Sequence, residues 1–440
     1  MLIKNIFSNS IFTFTRLALS LLVNIIISRL LLDPSAYGIF NLAISYIGIL
    51  IIILGLGVNG ALVRFSKEEL TNNNLKRFIS ECYSNVFAIQ FLFITVIVIF
   101  SDFFSNLIFN DSNFQYLIYF ICFCLIAETI QLWISSIFWG LNDFKLRGIS
   151  ISIIPLFKFI FLGVAYFFLK TITLNLIVYL VVLSEVISVG LLLLFYKKKN
   201  GNLPFKFFKY PALGSKNLKK AFSFGLWSML SAIGMLLMNL IDKIFITKFV
   251  SLEILGKYTI LISLLSYFTL SITMVSNVLL SNYLKIWEEN KSFVVKRINT
   301  IYFYLLILLM IGSIVFRFFS DFIIQNLYGQ VYLGLGYLIP IMLIAVFYNT
   351  NYMIMGNLAA ISKNPKYTTY SFLIGLLINI IGNSLFTPKY GVEAIVITTA
   401  VSYFFIAASM SLFLKNSIKE FSLKPLMFAF ISSIFIFYAY

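Results

Sequence analysis

Apolar runs of about 20 residues recur along the whole chain, separated by short polar intervals. Runs of that length match a ~30 Å hydrocarbon core at about 1.5 Å of rise per helical residue, so they predict transmembrane helices. Helices are the expected form because unpaired backbone amides are too costly in hydrocarbon, and no barrel-like alternation is present. The pattern predicts spans at about 10–32, 37–63, 79–101, 114–140, 149–169, 171–196, 222–247, 258–284, 299–319, 331–360, 369–387 and 391–414. A further apolar stretch, 425–440, reaches the chain terminus after 16 residues. It reads as a short span, an interfacial helix or the start of a longer segment. The first segment carries Lys4 and an embedded Arg16 with no A-x-A cleavage site, and reads as a retained anchor span.

Composition agrees and narrows the choice. Of 440 residues, 61% are hydrophobic and only 11% charged, against about 25% charged in an average soluble domain. So few charges cannot cover a water-facing surface, which excludes a soluble enzyme. The absence of histidine removes His bases, His metal ligands and Ser-His or Cys-His pairs. Cys82, Cys122 and Cys124 lie in apolar runs and suggest neither a disulfide framework nor a metal site. No metal or cofactor is expected.

The basic excess of +17 is a topology signal. With a cytoplasmic N-terminus, 24 of the 33 Lys and Arg residues fall on the cytoplasmic side, six outside and three within spans. That asymmetry follows the loop alternation and predicts a multi-pass protein with its N-terminus in the cytoplasm; nucleic acid is not an expected partner. The longest loop, about 197–221, carries eight lysines and no acid. It is expected to hold the connector against an anionic leaflet, or to offer a partner surface. The expected organisation is a six-helix bundle at 1–196, the basic linker 197–221, a second six-helix bundle at 222–414, and a tail at 415–440.

The two halves are self-similar. Setting Gly38 on Gly256 defines an offset of 218 that also superposes Phe40 on Tyr258, Asn24 on Asp242, Asn59 on Asn277 and Phe65 on Tyr283. Six spans per half keep both copies in the same orientation. The predicted fold is therefore an all-α integral membrane protein of about twelve transmembrane helices in two parallel six-helix repeats, a common transporter design.

RLLLDPSAYGIFNL (29–42), LGLGVNGALVRFSKE (54–68) and LLMNLIDKIFITKFVSLEILGKYTI (236–260), together with a first span carrying an embedded Arg, resemble the polysaccharide flippases of the Wzx type. These belong to the MOP exporter superfamily with the MATE drug exporters and lipid II flippases. The resemblance covers about residues 1–414 and implies a MATE-like fold with a central cavity between two bundles. It implies transport of undecaprenyl-pyrophosphate-linked oligosaccharide, such as O-antigen units, across the bacterial cytoplasmic (inner) membrane, and no enzymatic step. Membrane lipids, H+ or Na+ coupling, and association with a polysaccharide polymerase and chain-length regulator are the further expectations. The 425–440 stretch departs from the twelve-span pattern.

Charges within spans need a reason, since each costs roughly 2.5–3.5 kcal/mol at a helix centre on insertion scales. Arg16, Ser20 and Asn24 form one helical stripe; Ser228, Ser231, Met235, Asn239 and Asp242 form another. Both are expected to line the cavity, facing each other across the pseudo-two-fold axis. Arg16, ~9 Å inside the membrane by helix rise, is the leading pyrophosphate ligand; alternatively it snorkels to the interface. Arg64 and Arg29 are secondary candidates, with membrane anchoring as their plainer role. Lys158 either forms an ion pair with Glu128 or Glu185, or presents a cationic wall with those carboxylates as coupling sites. Asp242 is a candidate proton or sodium site, or a packing partner for a Lys or Arg, and Lys243 must point to another side of the same helix. Asn59, Asn277, Asn349 and Asn351 are candidates for sugar hydroxyls, alongside ordinary interhelical bonding, and Asn239 is a cavity candidate through its stripe. The LGLGVNG glycines (54–60) predict close helix contact or a bend, not a phosphate loop.

Two other functions compete. A MATE-like cation-coupled drug exporter would need an acidic, aromatic site, which Arg16 and Lys158 offset. A polymerase-type membrane enzyme would need a long outer loop, and none is present. No Walker A sequence occurs, so ATP hydrolysis by this chain is not expected.

Overall fold

The structure, a computed structural model, describes residues 2–169, 171–200, 215–287, 289–362, 364, 366–418 and 421–438. The apolar runs form helices, and no strand occurs among the described residues. The first half contains α1 (Leu2–Leu31), α2 (Pro34–Leu54), α3 (Val58–Thr71), α4 (Leu75–Ile99), α5 (Ser101–Phe109), α6 (Gln115–Gly140), α7 (Phe144–Leu169) and α8 (Leu174–Asn200). The second contains α9 (Lys216–Phe249), α10 (Leu252–Ile286), α11 (Lys291–Leu327), α12 (Ile339–Ile361), α13 (Lys366–Ser417) and α14 (Lys424–Tyr438).

Ten of the helices, among the described residues, are long and apolar enough to cross a membrane. One of these, α13, runs for 52 residues but breaks at Gly391, where φ 65° and ψ −141° are not helical, so it holds both the 369–387 and 391–414 spans. The chain is an all-α, multi-pass membrane protein. α14 has 15 residues, which at about 1.5 Å each falls short of a ~30 Å core; it packs against α11 and α12.

Local signals set the helix ends. Asp33 caps α2, its carboxylate accepting from the Ser35 amide at 2.9 Å ahead of Pro34 in the first turn. Ser251 caps α10 in the same way, accepting from the Ile254 amide at 3.2 Å. The two caps are 218 residues apart, the offset of the internal repeat, so the likeness of the halves extends to how their second helices begin.

The halves then diverge. The expected 37–63 span is two helices, because Gly57 takes φ +69° between α2 and α3. A Cβ there would come within 2.7 Å of the Gly225 backbone on α9, so this turn has no room for a side chain. In the second half the equivalent positions are Thr273, Met274 and Val275, and α10 continues unbroken to Ile286.

Two compact units divide the chain, Met1–Leu236 and Leu237–Tyr440, and α9 contributes to both. In the first unit α1 packs along α7, while α6 is the central helix, touching α2, α3, α7 and α8. Tyr83 stacks on Trp133 at 4.3 Å inside this core. The start of α9 is part of it: Ala221 is fully buried in the same cluster. There Lys220 reaches Glu69 at 2.8 Å and Glu68 at 3.1 Å, and Asn217 donates to Glu81 at 3.0 Å. In the second unit α12 packs against α10, α11, α13 and α14.

Candidate functional site

The first unit encloses a cavity of about 300 Å³. α1 supplies its polar stripe, Arg16, Ser20 and Asn24 at one-turn intervals. Asn41 joins them from α2, Glu128 and Gln131 from α6, and Lys158 from α7. The apolar remainder of the wall includes Phe40, Ile154 and Pro155. Polar groups converging in a hollow whose wall is about half apolar can serve as a ligand site.

Its charges are arranged as a balance. Lys158 Nζ lies 2.7 Å from Glu185 Oε1 and 3.9 Å from Glu128 Oε1. The Glu185 side chain is wholly buried on α8, whereas Glu128 keeps 29% exposure toward the cavity. Lys158 is thus held in an ion pair between two carboxylates, one of the two arrangements expected for it. Arg16 is exposed and forms no ion pair among the described residues; its charge interacts with that of Glu128. Two cations and two anions leave this wall near neutrality, and Arg16 is the cation not already committed to a carboxylate.

The remaining predicted residues are dispersed. Arg29 sits in the last turn of α1, where a cation complements the helix dipole. Asn59 accepts from the Tyr83 hydroxyl at 2.5 Å in the core of the first unit. Arg64 is exposed beside the Phe65 ring, 5.6 Å from its centroid. Asn239 is half-buried on α9, Lys243 is buried there, and the side chains of Asn277 and Ser228 lie outside the described residues.

Asp242 occupies a second polar centre, within the second unit. It is 1% exposed, so it is enclosed and does not line the first unit's cavity. Tyr258 donates to its Oδ2 at 2.8 Å, and Thr399 lies 3.0 and 2.9 Å from the two oxygens. Asn379 and Asn383 donate to Oδ1 at 3.4 and 3.3 Å. Thr398 extends the set by donating to Asn383 Oδ1 at 2.6 Å. Among the described residues its hydrogen-bond partners are hydroxyls and carboxamides, and its charge also acts on the neighbouring Lys243. Rotated, those same hydroxyl and amide oxygens can face a small hard cation.

Several of these partners escaped the reading of the sequence. Asn379, Asn383 and Thr387 recur at four-residue steps, a stripe that could have been found, as could Thr398–Thr399. Asn41 and Gln131, which also line the cavity, were given no role from sequence. The repeat does reappear: Asn24 and Phe40 share the first unit's cavity wall, and their counterparts Asp242 and Tyr258 share a hydrogen bond.

Comparison with known proteins follows the same outline. A family model described as polysaccharide biosynthesis protein matches residues 2–280. The uncharacterized membrane protein MJ1068 of Methanocaldococcus jannaschii is 25% identical over 390 residues, covering 83% of this chain and 75% of that protein. Among solved structures, an inward-facing multidrug resistance MATE family transporter of the MOP superfamily superposes with a TM-score of 0.70 at 13% identity, covering 92% of this chain and 94% of that one. The lipid II flippase MurJ in an inward closed conformation gives 0.69 at 18% identity, over 98% and 91%. Identities this low establish a shared fold, that of the MATE-like exporters. With the family model spanning well over half of its length, the chain belongs to the polysaccharide biosynthesis protein family.

Proposed function

We propose that this protein is a flippase that moves a lipid-linked oligosaccharide, of the undecaprenyl-pyrophosphate type used for O-antigen and related surface polysaccharides, across the bacterial cytoplasmic membrane by alternating access. The observation that carries this reading is Arg16: a cation unpaired with any carboxylate among the described residues, in a cavity shared with Ser20, Asn24, Asn41 and Gln131. A guanidinium grips phosphate oxygens bidentately, and hydroxyls and carboxamides serve sugar hydroxyls. At about 300 Å³ the cavity suits the diphosphate end of a headgroup rather than a whole oligosaccharide. Lys158 and Arg16 together offset Glu128 and Glu185, which leaves no net acidic wall for a cationic drug.

Asp242 with Tyr258, Thr399, Asn379 and Asn383 is the proposed coupling site for H+ or Na+; Glu128 and Glu185, tied to Lys158, are secondary candidates. Polymerase and chain-length regulator are proposed partners, the N-terminus is proposed to face the cytoplasm, and no enzymatic step is proposed. In a strain that depends on this protein, Arg16→Ala is expected to abolish surface polysaccharide at normal membrane levels of the protein. Full retention of surface polysaccharide in Arg16→Ala and in Arg16→Ala/Lys158→Ala refutes the reading.

A further inference from the structure

We infer that Arg147, held on the Trp139 ring, joins Arg16 in gripping the diphosphate, so that each phosphate group meets its own guanidinium. The inference rests on reading the first unit's cavity as the headgroup site, and it adds a specificity-determining residue one turn beyond the wall of that cavity.

Helix spacing carries two walls of the cavity toward one end. On α7, Ile151, Ile154, Pro155 and Lys158 line it, and Arg147 stands one turn before Ile151 on the same face. On α6, Glu128 and Gln131 line it, and Ser135 and Trp139 follow at further one-turn steps. Glu128 to Trp139 and Arg147 to Lys158 are both eleven residues, roughly 16 Å and close to three whole turns. The turn between α6 and α7 therefore sets Trp139 beside Arg147 on the faces that also carry Glu128 and Lys158. There the Arg147 guanidinium lies 3.6 Å from the Trp139 ring centroid.

α1 brings Arg16 to the same end. Ser152 donates to the Phe12 carbonyl at 3.3 Å, and a Cβ at Gly148 would strike the Phe12 ring, which fixes the register of α1 on α7. Arg16 is one turn beyond Phe12, and Arg147 precedes Gly148. By helix rise the two arginines are about 10 Å apart along the axes, within the combined reach of their side chains. The charge of Arg16 acts on both Glu128 and Arg147. The nearest acid on α7, Asp143, is engaged by Lys199 of α8 and by the Leu146 amide. Two guanidiniums held close away from bulk water repel, and an anion between them turns repulsion into attraction. A diphosphate brings negative charge for each, and a guanidinium fork matches phosphate oxygens. The Trp139 ring fixes the plane of the Arg147 fork in advance, which lowers the ordering cost of binding.

The test is calorimetric titration of the purified full chain, in neutral detergent, with farnesyl diphosphate and with farnesyl monophosphate. Wild type is expected to prefer the diphosphate. Arg147→Gln should weaken diphosphate binding about 10–100-fold and monophosphate binding less than about threefold, erasing the preference. Arg147→Lys keeps the charge without the fork and should recover only part of it. Trp139→Ala should lose most of the preference with every charge in place, whereas Trp139→Phe should keep it. A preference that persists in Arg147→Gln and Trp139→Ala overturns the inference and leaves Arg147 an interfacial anchor. Equal weakening of both ligands in Arg147→Gln overturns it too, because a general loss of positive charge or of folding would do the same. If Arg147→Gln fails to fold, a Trp139→Ala protein with the full wild-type preference overturns it. A wild type that binds neither ligand, or an Arg16→Ala protein that binds both as wild type does, overturns the reading of the cavity itself.

Discussion

Replacing Glu185 by alanine removes the closer partner of Lys158 from a fully buried position. Breaking a buried ion pair from one side generally costs about 3–5 kcal/mol, because the surviving charge loses its compensation. Here Glu128 remains at 3.9 Å, against 2.7 Å for the lost carboxylate. Coulomb attraction falls with distance, so Glu128 retains about two-thirds of the attraction per charge. The expected loss is therefore at the lower end, about 3 kcal/mol. If the first unit unfolds cooperatively, that is about 6–12 °C in Tm for a unit of its size. Lys158→Met/Glu185→Leu fills the same space with apolar atoms, and should recover most of the loss or exceed wild type by about 1 kcal/mol or more. Glu128 tolerates this because its side chain keeps 29% exposure to the cavity. Thermal unfolding of the purified protein, followed by the fluorescence of its four tryptophans, measures both. A Glu185→Ala protein as stable as wild type, or a double variant as unstable as the single, refutes the argument.

Other consequences are independent of that pair. Gly225→Ala drives a Cβ into the Gly57 carbonyl oxygen and should cost about 1–3 kcal/mol as overpacking; Gly163→Ala and Gly190→Ala, with open space around them, should be neutral or stabilising in the same unfolding assay. Burial raises the pKa of Glu69, but the hydrogen bonds from Lys220 and Asn74 and the Lys220 charge outweigh it, leaving the carboxyl below its ordinary value. Its contribution is thus complete above the ordinary carboxyl range and is lost as pH falls through the lowered value. Amide exchange at 216–225, corrected for intrinsic rate, should rise in acid, and Glu69→Gln should remove that response. Asp242→Asn substitutes a carboxamide for the acceptor of Tyr258 and Thr399, and should lower transport at least tenfold and abolish its dependence on a Na+ or H+ gradient; a retained dependence in everted vesicles would dismiss Asp242 as the coupling site.

Much of the fold was legible from one dimension. Hydropathy runs depend on local composition, so they foretell membrane helices, while the caps Asp33 and Ser251, one repeat offset apart, emerge only in the structure. Helical spacing alone joins Arg16, Ser20 and Asn24, and the three line one cavity. A choice between helices lies beyond such signals. Lys158 had two candidate carboxylates, and packing of α7 against α6 and α8 seats it nearer Glu185. Asp242 stood as an ion site or a packing partner for a Lys or Arg, and only packing reveals that α10 and α13 bring Tyr258, Asn379, Asn383 and Thr399 to it. The break at Gly57 is visible as a glycine cluster, yet its φ and its contact with Gly225 arise only when α9 returns across 167 residues of intervening sequence. Periodicity says which face of a helix is polar. Which polar face it meets is a matter of non-local packing, where burial makes an unmet charge costly, and that decision belongs to the tertiary structure.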